Sequence, residues 1–409
     1  MKVCVVGAGA AGMTASIFLA RGGVQVVLVE KNEKFGKKLY ITGKGRCNLT
    51  NDCELDDLFS NVVRGEKFLR SSLYGFTPQD TMAFFEDLGL KLVVERGNRV
   101  FPLSQKSSDV IKALQIEIDR LGVETMLDTR VTEIKKQGTR FEVVTDSGRI
   151  DCDKVVVATG GVSYPSTGST GDGYAFARSL GMKIVEPRQA LVPIIVKQNV
   201  AALQGISLKN VRLCALDENR KEIAAEFGEM LFTSRGLSGP IALTISSYIN
   251  RKQNVVLSLD LKPALDENTL DRRILRDFDE RKNQDIKNVT RALLPERLNA
   301  YVLKCAGIAE SKKVNEITKE ERARLVAAIK NLKFDVSGLA PFSEAIVTSG
   351  GVDLKDLKPT CESRTKDGVY FVGETTDIDA LTGGFNLQLA FATAVCCAKD
   401  ILKKAAQNV

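Results

Sequence analysis

The first thirty residues carry a glycine pattern that only a few folds accommodate. An apolar segment, KVCVV, leads into GAGAAG, an alanine-rich stretch, a glycine pair and a second apolar segment that ends at Glu30. Strand, glycine turn, helix and strand in this order form a βαβ unit. Gly7 permits the tight turn, Gly9 lets a pyrophosphate approach the backbone, and Gly12 lets the helix pack against the strand. With N–H donors at the helix start and Glu30 placed to accept hydrogen bonds from a ribose, the unit predicts dinucleotide binding.

The periodicity that follows indicates which dinucleotide binds. Amphipathic helices are predicted in TPQDTMAFFEDLGL, with Thr77 as its start and Gly89 as its stop, and in SSDVIKALQIEIDRLGV. From Val123 to Ala158 the apolar period changes to two, which predicts a small β-meander and a return strand that ends in Ala-Thr-Gly. This continuation is typical of FAD-binding rather than NAD-only members of the fold, so we expect FAD.

The middle of the chain has a different pattern of apolar and charged residues, which predicts an inserted module. Between about Pro187 and Leu339, short antiparallel strands are expected in ALVPIIVK, VRLCALD and NVVLSLDLK, and charged amphipathic helices in the segments that follow. The chain returns to the first domain at AIVTSGGVDLKDL. It continues through a strand in GVYFVGETTD and closes with a helix that begins near GGFNLQLA.

The stretch ITGKGRCNLTND, residues 41–52, could serve several chemistries. Its glycine spacing is wrong for a P-loop, and its NLT triplet is an incidental glycosylation match in a chain without a secretion signal. Arg46 could lower the pKa of a reactive Cys47, but we expect a packed small side chain instead. We therefore interpret the stretch as a pocket wall in which Arg46 and Asn48 offer hydrogen bonds to flavin or substrate oxygens.

Two further glycine-rich segments could face a flavin. GGFNLQLA puts a glycine turn before a helix, and the positive helix end at Asn386, Leu387 and Gln388 would stabilise an anionic reduced flavin; a plain packing helix is the alternative. The segment Gly160–Tyr174 carries Tyr164, whose phenol could donate a hydrogen bond or a proton to a substrate oxygen. A surface loop with one anchoring tyrosine is the alternative there.

Composition excludes several enzyme classes. The chain of 409 residues has no histidine, which excludes Ser-His and Cys-His nucleophilic mechanisms and most transition-metal sites, so no metal is expected. Its nine cysteines form no C-x-x-C pair, which argues against a thiol-disulfide reductase. The net charge of +7 comes without a basic block, so nucleic acid is not an expected partner. With no apolar run of membrane-spanning length and no room for a leader, we expect a cytoplasmic protein.

Seven motifs in fixed order cover nearly the whole chain. They are the glycine fingerprint, GKKLYITGKGRCNLTN, RVFPLSQKSSDVI, ATGGVSYPSTGSTGDGY, GEMLFTSRGLSGPIAL, VTSGGVDLKDL and GVYFVGETTDIDALTGGFNLQLA. The series resembles the BaiN-like family of NAD(P)/FAD-dependent oxidoreductases, also called the aminoacetone oxidase family. The resemblance implies an α/β fold, with a Rossmann-like, glutathione-reductase-like FAD-binding domain and an inserted β-barrel-like plus helical module. The implied boundaries are 1–187 and 339–409 for the FAD-binding domain, 188–262 for the barrel-like part and 263–338 for the helical part.

The same resemblance implies a set of cofactor contacts in both segments of the FAD-binding domain. They are Gly7, Gly9, Ala10, Ala11, Gly12, Glu30, Lys31, Lys38, Thr42, Gly43, Gly45, Arg46, Cys47, Asn48, Val131, Thr159, Gly160, Gly373, Glu374, Asp377, Asn386, Leu387 and Gln388. The implied cofactor is FAD. NAD(P)H would be a transient electron donor, because the chain has no second glycine fingerprint for a nicotinamide domain.

The implied activity is reduction of a carbon-carbon double bond conjugated to a ketone. The substrate class would be a small hydrophobic enone, such as a 3-oxo-Δ4 or Δ6 bile acid or a steroid-like molecule. In a chain without histidine, Tyr164 is the first candidate for the proton donor, with Tyr40 and Arg46 behind it. Two other hypotheses stay open: an FAD-dependent RNA-modifying or RNA-binding flavoprotein, and a non-catalytic flavin-binding regulatory protein.

Overall fold

Two compact units make up the protein. The structure is a computed structural model that describes residues 1–407. The first unit combines Met1–Gln189 with the chain from Phe342 onward, and the second unit is Ala190–Pro341. Each unit encloses hydrophobic core of its own, as expected for a chain too long for a single core.

The segment before the module contains the nucleotide-binding elements. Its strands are β1 (Lys2–Val6), β2 (Gln25–Val29), β3 (Thr50–Asn51), β4 (Val62–Arg64), β5 (Leu92–Glu95), β6 (Arg99–Pro102), β7 (Glu124–Met126), β8 (Val131–Gln137), β9 (Arg140–Thr145), β10 (Gly148–Cys152), β11 (Lys154–Val157) and β12 (Ile184–Ala190). Its helices are α1 (Ala10–Arg21), α2 (Lys37–Ile41), α3 (Leu55–Ser60), α4 (Glu66–Gly75), α5 (Pro78–Asp87), α6 (Ser107–Arg120) and α7 (Asp172–Ser179). The predicted meander is the antiparallel sheet β10-β9-β8.

The second unit combines a barrel with helices. Its strands are β13 (Ile194–Val196), β14 (Ser207–Leu216), β15 (Glu222–Phe232), β16 (Gly236–Ser238), β17 (Val256–Asp260) and β18 (Leu332–Leu339). Its helices are α8 (Pro240–Ile249), α9 (Glu267–Asp279), α10 (Ile286–Thr290), α11 (Glu296–Ala306) and α12 (Lys319–Lys330). The strands close into a barrel in the order β13-β16-β15-β14-β17-β18.

Three barrel strands, β15, the short β16 and β18, were not predicted. β15 was not expected, because EIAAEFGEMLF has no clear period of two; its long antiparallel pairing with β14 fixes it as a strand. β18 lies almost entirely in the range 263–338, for which helices were expected. It belongs to the barrel because it pairs with both β13 and β17.

The chain after the module completes the first unit. It forms β19 (Val347–Val352), β20 (Val369–Phe371), β21 (Asp379–Ala380) and α13 (Phe385–Gln407). β20 is the edge strand of a five-stranded parallel sheet of order β20-β11-β1-β2-β7. Most residues of β1, β2 and β11 are buried, as required of parallel strands that are covered on both faces. The predicted Rossmann-type α/β fold with an inserted barrel is confirmed.

The C-terminal helix corrects one expectation. Among residues 1–407, α13 is the one helix that is long and apolar enough to cross a membrane by composition, whereas the sequence suggested that no apolar run reaches that length. Of its most apolar window, 67% is buried inside the protein. Leu389, Phe391 and Val395 pack into the core around α1, so the apolar composition is accounted for by packing.

Candidate functional site

The glycine loop between β1 and α1 is tight at two positions and open at a third. Gly7 has φ +101°, and a Cβ there would lie 2.7 Å from the carbonyl oxygen of Ala158. A Cβ on Gly12 would lie 1.8 Å from the carbonyl oxygen of Gly7. No atom lies within 4 Å of the position that a Cβ would take on Gly9. The loop therefore leaves space in front of the first N–H groups of α1, which have no side-chain cap, and this space fits a pyrophosphate.

Glu30 ends β2 with a buried, oriented carboxylate. Its Oε2 accepts a hydrogen bond from the N–H of Ala8 at 2.7 Å, and its Oε1 accepts from the backbone N and the Nδ2 of Asn32 at 2.9 and 2.6 Å. A carboxylate has about four lone-pair positions, so acceptor capacity remains for a ribose. The N–H of Thr129 donates to the carbonyl oxygen of Glu30 at 3.0 Å, which brings the start of β8, with Val131, to this end of the sheet.

Lys31 connects the end of β2 to the loop before α7. Its Nζ lies 2.7 Å from the carboxylate of Asp172 and 2.5 Å from Oγ1 of Thr170. Asp172 is the first residue of α7, and its carboxylate is engaged in the ion pair with Lys31 rather than in a helix cap.

Lys38 and Glu374 join the two segments of the first unit. The Nζ of Lys38, on α2, contacts Glu374 and the Oγ of Ser163. The other carboxylate oxygen of Glu374 accepts hydrogen bonds from Oγ of Ser163 at 2.8 Å and from the N–H of Thr348 at 2.7 Å. The single carboxylate of Glu374 thus accepts from Lys38, Ser163 and Thr348. It therefore holds α2, the loop after β11, and β19 in fixed positions relative to one another.

Gly373 and Gly160 bring the return segment against the glycine loop. A Cβ on Gly373, which has φ +62°, would lie 3.1 Å from the Cβ of Ala11. Oγ1 of Thr375 accepts a hydrogen bond from the N–H of Gly160 at 3.1 Å, and Oγ1 of Thr159 accepts from an N–H at the start of α7. The predicted contacts from these segments thus meet at the carboxyl ends of β1, β11 and β20, where parallel sheets bind ligands.

A cavity of about 700 Å³ lies beside the ITGKGRCNLTND stretch in the first unit. Its lining comes from this stretch, the tip of the β5–β6 hairpin, the end of α3 and the turn before α13. Asn51, which was not predicted, holds two of these parts together. Its Nδ2 donates to the carbonyl oxygens of Gly97 at 3.0 Å and Gly383 at 3.1 Å.

The wall of this cavity has an unusual backbone. Gly43, Lys44, Gly45 and Cys47 have φ of +57°, +58°, +84° and +59°. Left-handed non-glycine residues are strained and cluster at functional sites. Cys47 is fully buried, and burial raises the pKa of its thiol to about 12. It is the packed small side chain that we expected. Thr42 precedes these residues, and its hydroxyl donates to the carbonyl oxygen of Leu39 at 2.7 Å, where α2 ends.

Arg46 is fixed in the wall by three contacts. Its Nε donates to Oε1 of Gln105 at 2.5 Å, its terminal nitrogen pairs with Glu95, and its guanidinium lies 4.2 Å from the ring centroid of Phe101. Asn48 is different. Its Oδ1 is buried and has no hydrogen-bond partner among residues 1–407. An unsatisfied buried acceptor costs about 1–3 kcal/mol, so Asn48 is prepared to accept a hydrogen bond from a ligand.

The start of α13 offers less than the sequence suggested. Oδ1 of Asn386 accepts from the N–H of Ala380, and its Nδ2 donates to loop carbonyls, so the side chain closes the turn. Gln388 is fully buried; its Oε1 accepts from two threonine hydroxyls at 2.7 Å and its Nε2 donates to a carbonyl oxygen. Leu387 packs partly into the core. Because buried amides must satisfy each polar atom, only the helix end itself remains for a flavin.

The three candidate proton donors have different environments. Arg46 lines the cavity. Tyr164 is half-buried with φ +49°, follows Ser163 of the Lys38–Glu374 network, and has a phenol whose pKa is raised by burial and by the nearby charge of Glu344. Tyr40 is 56% exposed to solvent.

A buried ion pair that was not predicted joins β4 and β21. Asp379 is 0% exposed and its Oδ1 lies 3.2 Å from the guanidinium of Arg64. Burial raises the pKa of Asp379 to about 6, because desolvation outweighs the attraction of Arg64. The N–H of Asp377, two residues earlier, donates to the carbonyl oxygen of Val352 at 3.1 Å. The sequence signal that could have indicated this ion pair is the pair of acids, Asp377 and Asp379, in the segment TTDIDA.

An open pyrophosphate cradle, a ribose-type carboxylate and a return segment at the carboxyl ends of one parallel sheet define a Rossmann flavoprotein of the FAD-binding type. The family model described as HI0933-like protein Rossmann domain matches residues 1–400. The chain belongs to this family, and the family resemblance inferred from its motifs is confirmed.

Two relatives match along their full length. The 3-dehydro-bile acid delta(4,6)-reductase of Clostridium scindens is 31% identical over 401 residues, covering 96% of this chain and 97% of that protein. The ribosomal RNA dihydrouridine synthase of Haemophilus influenzae is 30% identical over 409 residues, covering 98% of both. Among solved structures, the 3-ketosteroid delta1-dehydrogenase of Sterolibacterium denitrificans has a TM-score of 0.54 at 12% identity, covering 98% of this chain and 99% of that one. This last likeness concerns the fold alone.

Proposed function

We propose that this chain is an FAD-dependent oxidoreductase that reduces a carbon-carbon double bond conjugated to a carbonyl group. The observation that carries the proposal is the open cradle at Gly9, in a unit that also presents the unpaired acceptor of Asn48 beside a cavity. The two full-length relatives support the reaction class. A bile acid with a 3-oxo group and Δ4 unsaturation and the uracil ring of uridine share one element, a double bond conjugated to a carbonyl group.

Both segments of the first unit would hold FAD. The N–H groups from Gly9 to Gly12 would bind the pyrophosphate, and Glu30 would bind the ribose. Lys38 and Glu374 would keep the return segment against this site, and the wall around Asn48 would face the ring. When bound, reduced flavin supplies a hydride to the β-carbon of the substrate.

The protein itself would supply a proton and polarise the carbonyl group of the substrate. Tyr164 would donate the proton that the α-carbon takes up, since a phenol with a raised pKa stays protonated at neutral pH. Arg46, held by Glu95 and Gln105, would donate to the carbonyl oxygen of the substrate. Tyr40 is the third candidate for the donor. NAD(P)H would reduce the flavin, and a cytoplasmic location agrees with nine free thiols.

The first candidate substrate is a 3-oxo-Δ4 or Δ6 bile acid or a steroid-like enone, supported by the Clostridium scindens relative. The second is uridine in RNA. Asn48, Asn51, Asn61 and Asn98 all line the cavity, and Oδ1 of Asn48 lacks a donor. A uracil ring offers an N–H to such an acceptor, whereas the enone part of a steroid offers none. This observation favours the RNA alternative.

Anaerobic flavin reoxidation tests the proposal. The FAD-loaded protein is photoreduced and mixed with 4-androstene-3-one or with a uridine-containing RNA. The matched controls are the saturated 3-ketone and the same RNA with cytidine in place of uridine. Rapid reoxidation by one substrate but not by its control supports that substrate. Failure of both would overturn the proposal and leave the non-catalytic flavoprotein. Stopped-flow reduction by NADH and NADPH tests the donor separately.

A further inference from the structure

We propose that the cavity contains a phosphate-binding subsite for a nucleotide unit, formed by Lys44 and Arg99. The inference rests on the proposed function, because it names the ligand class of the same cavity. The phosphate could belong to an RNA strand or to a free nucleotide such as a nicotinamide dinucleotide phosphate, and these two sources share the chemistry that the subsite would recognise.

More cations than acids line the cavity. Three cations, Lys44, Arg46 and Arg99, line the cavity together with one acid, Asp57. Arg46 is paired with Glu95. Lys44 has no hydrogen bond or ion pair among residues 1–407. Arg99 forms no ion pair within 4 Å in this part of the chain, but it lies opposite Glu95 in the β5–β6 pairing and helps to lower the pKa of that carboxyl. The three cations thus face two acids, Glu95 and Asp57, and the excess positive charge is that of Lys44.

Two arginines lie near the same aromatic ring. The guanidinium of Arg99 lies 5.8 Å from the ring centroid of Phe101, and that of Arg46 lies 4.2 Å from the same centroid. Two like charges that share one ring repel each other, and the repulsion is weak only where solvent or an anion screens it. The Nε of Arg99 donates to the carbonyl oxygen of Arg96 at 3.0 Å, which orients the group and leaves its other donors available.

Lys44 has a strained backbone conformation. This residue has φ +58° between Gly43 and Gly45, which also have positive φ. A lysine in the left-handed region costs about 1–3 kcal/mol, and such strain persists where the surroundings determine it. Here it places an unpaired cation in the same wall as Asn48, whose Oδ1 is an unpaired acceptor.

Phosphate together with a heterocycle explains both kinds of lining group. Unpaired cations suit a phosphate, and side-chain amides suit the hydrogen-bonding edge of a base. A cavity of about 700 Å³ lies in the size range of small-molecule sites. A neutral steroid offers no anionic group to Lys44 and Arg99.

Binding to the FAD-loaded protein tests the subsite. Fluorescence anisotropy measures the affinity for a labelled uridine-rich RNA oligonucleotide, and calorimetry measures that for 2′,5′-ADP. The variants are Lys44→Gln and Arg99→Gln, with Lys67→Gln as the control, an exposed lysine of α4 outside the cavity. Each cavity variant should weaken binding of at least one probe about five- to tenfold and reduce its salt slope by about one, whereas Lys67→Gln should bind like the unmodified protein.

The arms distinguish the sources of the phosphate. Loss of RNA affinity assigns the subsite to an RNA strand, and loss of 2′,5′-ADP affinity assigns it to a free nucleotide. If neither probe binds, or if both cavity variants bind like the control, the subsite is overturned. Binding without flavin reoxidation by enone or RNA would keep the subsite and remove the proposed reaction. Reoxidation by an enone without binding of either probe would remove the subsite alone.

Discussion

The Nζ of Lys38 contacts the carboxylate of Glu374, which lies 336 residues later in the chain. Both side chains are largely shielded from solvent, and Glu374 also accepts hydrogen bonds from Ser163 and Thr348. The contact connects the α2 segment, which leads into the cavity wall, to the return segment beside the glycine loop.

Replacement of Lys38 by Met should therefore weaken FAD binding. The variant leaves the Glu374 carboxylate without its cation, and a hydrogen bond to a charged group contributes about 1.5–3 kcal/mol. We expect the FAD dissociation constant to rise about tenfold or more, measured by quenching of flavin fluorescence. Lys34→Met is the matched control, because the exposed Lys34 pairs with the exposed Glu33. Equal FAD affinity in the two variants would contradict the role of Lys38.

Gly9→Ala and Gly12→Ala should separate cofactor binding from folding. Gly9 has room for a Cβ and a φ of −83°, so the apoprotein should keep its melting temperature while FAD affinity falls, since the methyl group takes the space of the pyrophosphate. Gly12→Ala would press a Cβ against the Gly7 carbonyl and should cost about 1–3 kcal/mol or more of unfolding free energy. Thermal denaturation and FAD titration measure the two effects. An undiminished FAD affinity of Gly9→Ala would place the pyrophosphate elsewhere.

Tyr164→Phe should slow reoxidation of the reduced flavin by a conjugated substrate about 100-fold, which is the lower range for loss of a general acid. Because burial raises the pKa of this phenol, the rate in the unmodified protein should not fall between neutral pH and about pH 9. Tyr74→Phe is the control, since Tyr74 is 63% exposed. An unchanged rate in Tyr164→Phe would assign the proton to another donor.

Cys47 should resist alkylation in the folded protein. Burial raises the pKa of its thiol to about 12, so the thiolate is scarce at neutral pH, and the side chain is inaccessible. Cys305 is exposed and serves as the internal reference. Peptide mass spectrometry after brief treatment with N-ethylmaleimide should show labelled Cys305 and unlabelled Cys47 until denaturant is added. Rapid labelling of Cys47 would restore the reactive-thiol hypothesis.

Because of Asp379, the free energy of unfolding should decrease as pH rises. Its pKa is raised from 3.8 to about 6 in the folded state, so the folded protein binds more protons than the unfolded chain between these values. The stabilising contribution is complete below about pH 4 and is lost as pH rises through about 6, by about 3 kcal/mol. The unfolding free energy of the unmodified protein minus that of Asp379→Asn should decrease by about this amount from pH 4 to pH 7. A pH-independent difference in urea denaturation would refute the shift.

Local signals made much of the first unit predictable. The βαβ unit is defined by glycine spacing and apolar periodicity within about 30 residues. Helix α5 is defined by the capping box of Thr77 and Asp80. These features depend on neighbours in sequence, and each appears in the structure where the sequence placed it.

Long-range partners made the remainder unpredictable. Gln388 lies at a helix start, where the sequence predicts a flavin contact. Its Oε1 instead accepts hydrogen bonds from the hydroxyls of Thr50 and Thr81, which lie about 300 residues earlier in the chain. The burial of Asp379 and the double hydrogen bond of Asn51 likewise depend on segments that meet only after folding. The strand β15 was missed for the same reason, because pairing with β14 outweighs its weak local pattern.

The parallel sheet imposes an order on protein synthesis. β20 pairs with β11, but the whole inserted module is translated between them. At about 5–20 residues per second, the ribosome takes at least about ten seconds to deliver β20 after β11 has left it. During that time the edge of β11 and the apolar face of α1 lack their final neighbours, while the module is already complete. Nascent chains of this protein should therefore depend on chaperones late in translation, after the module has folded and before α13 emerges.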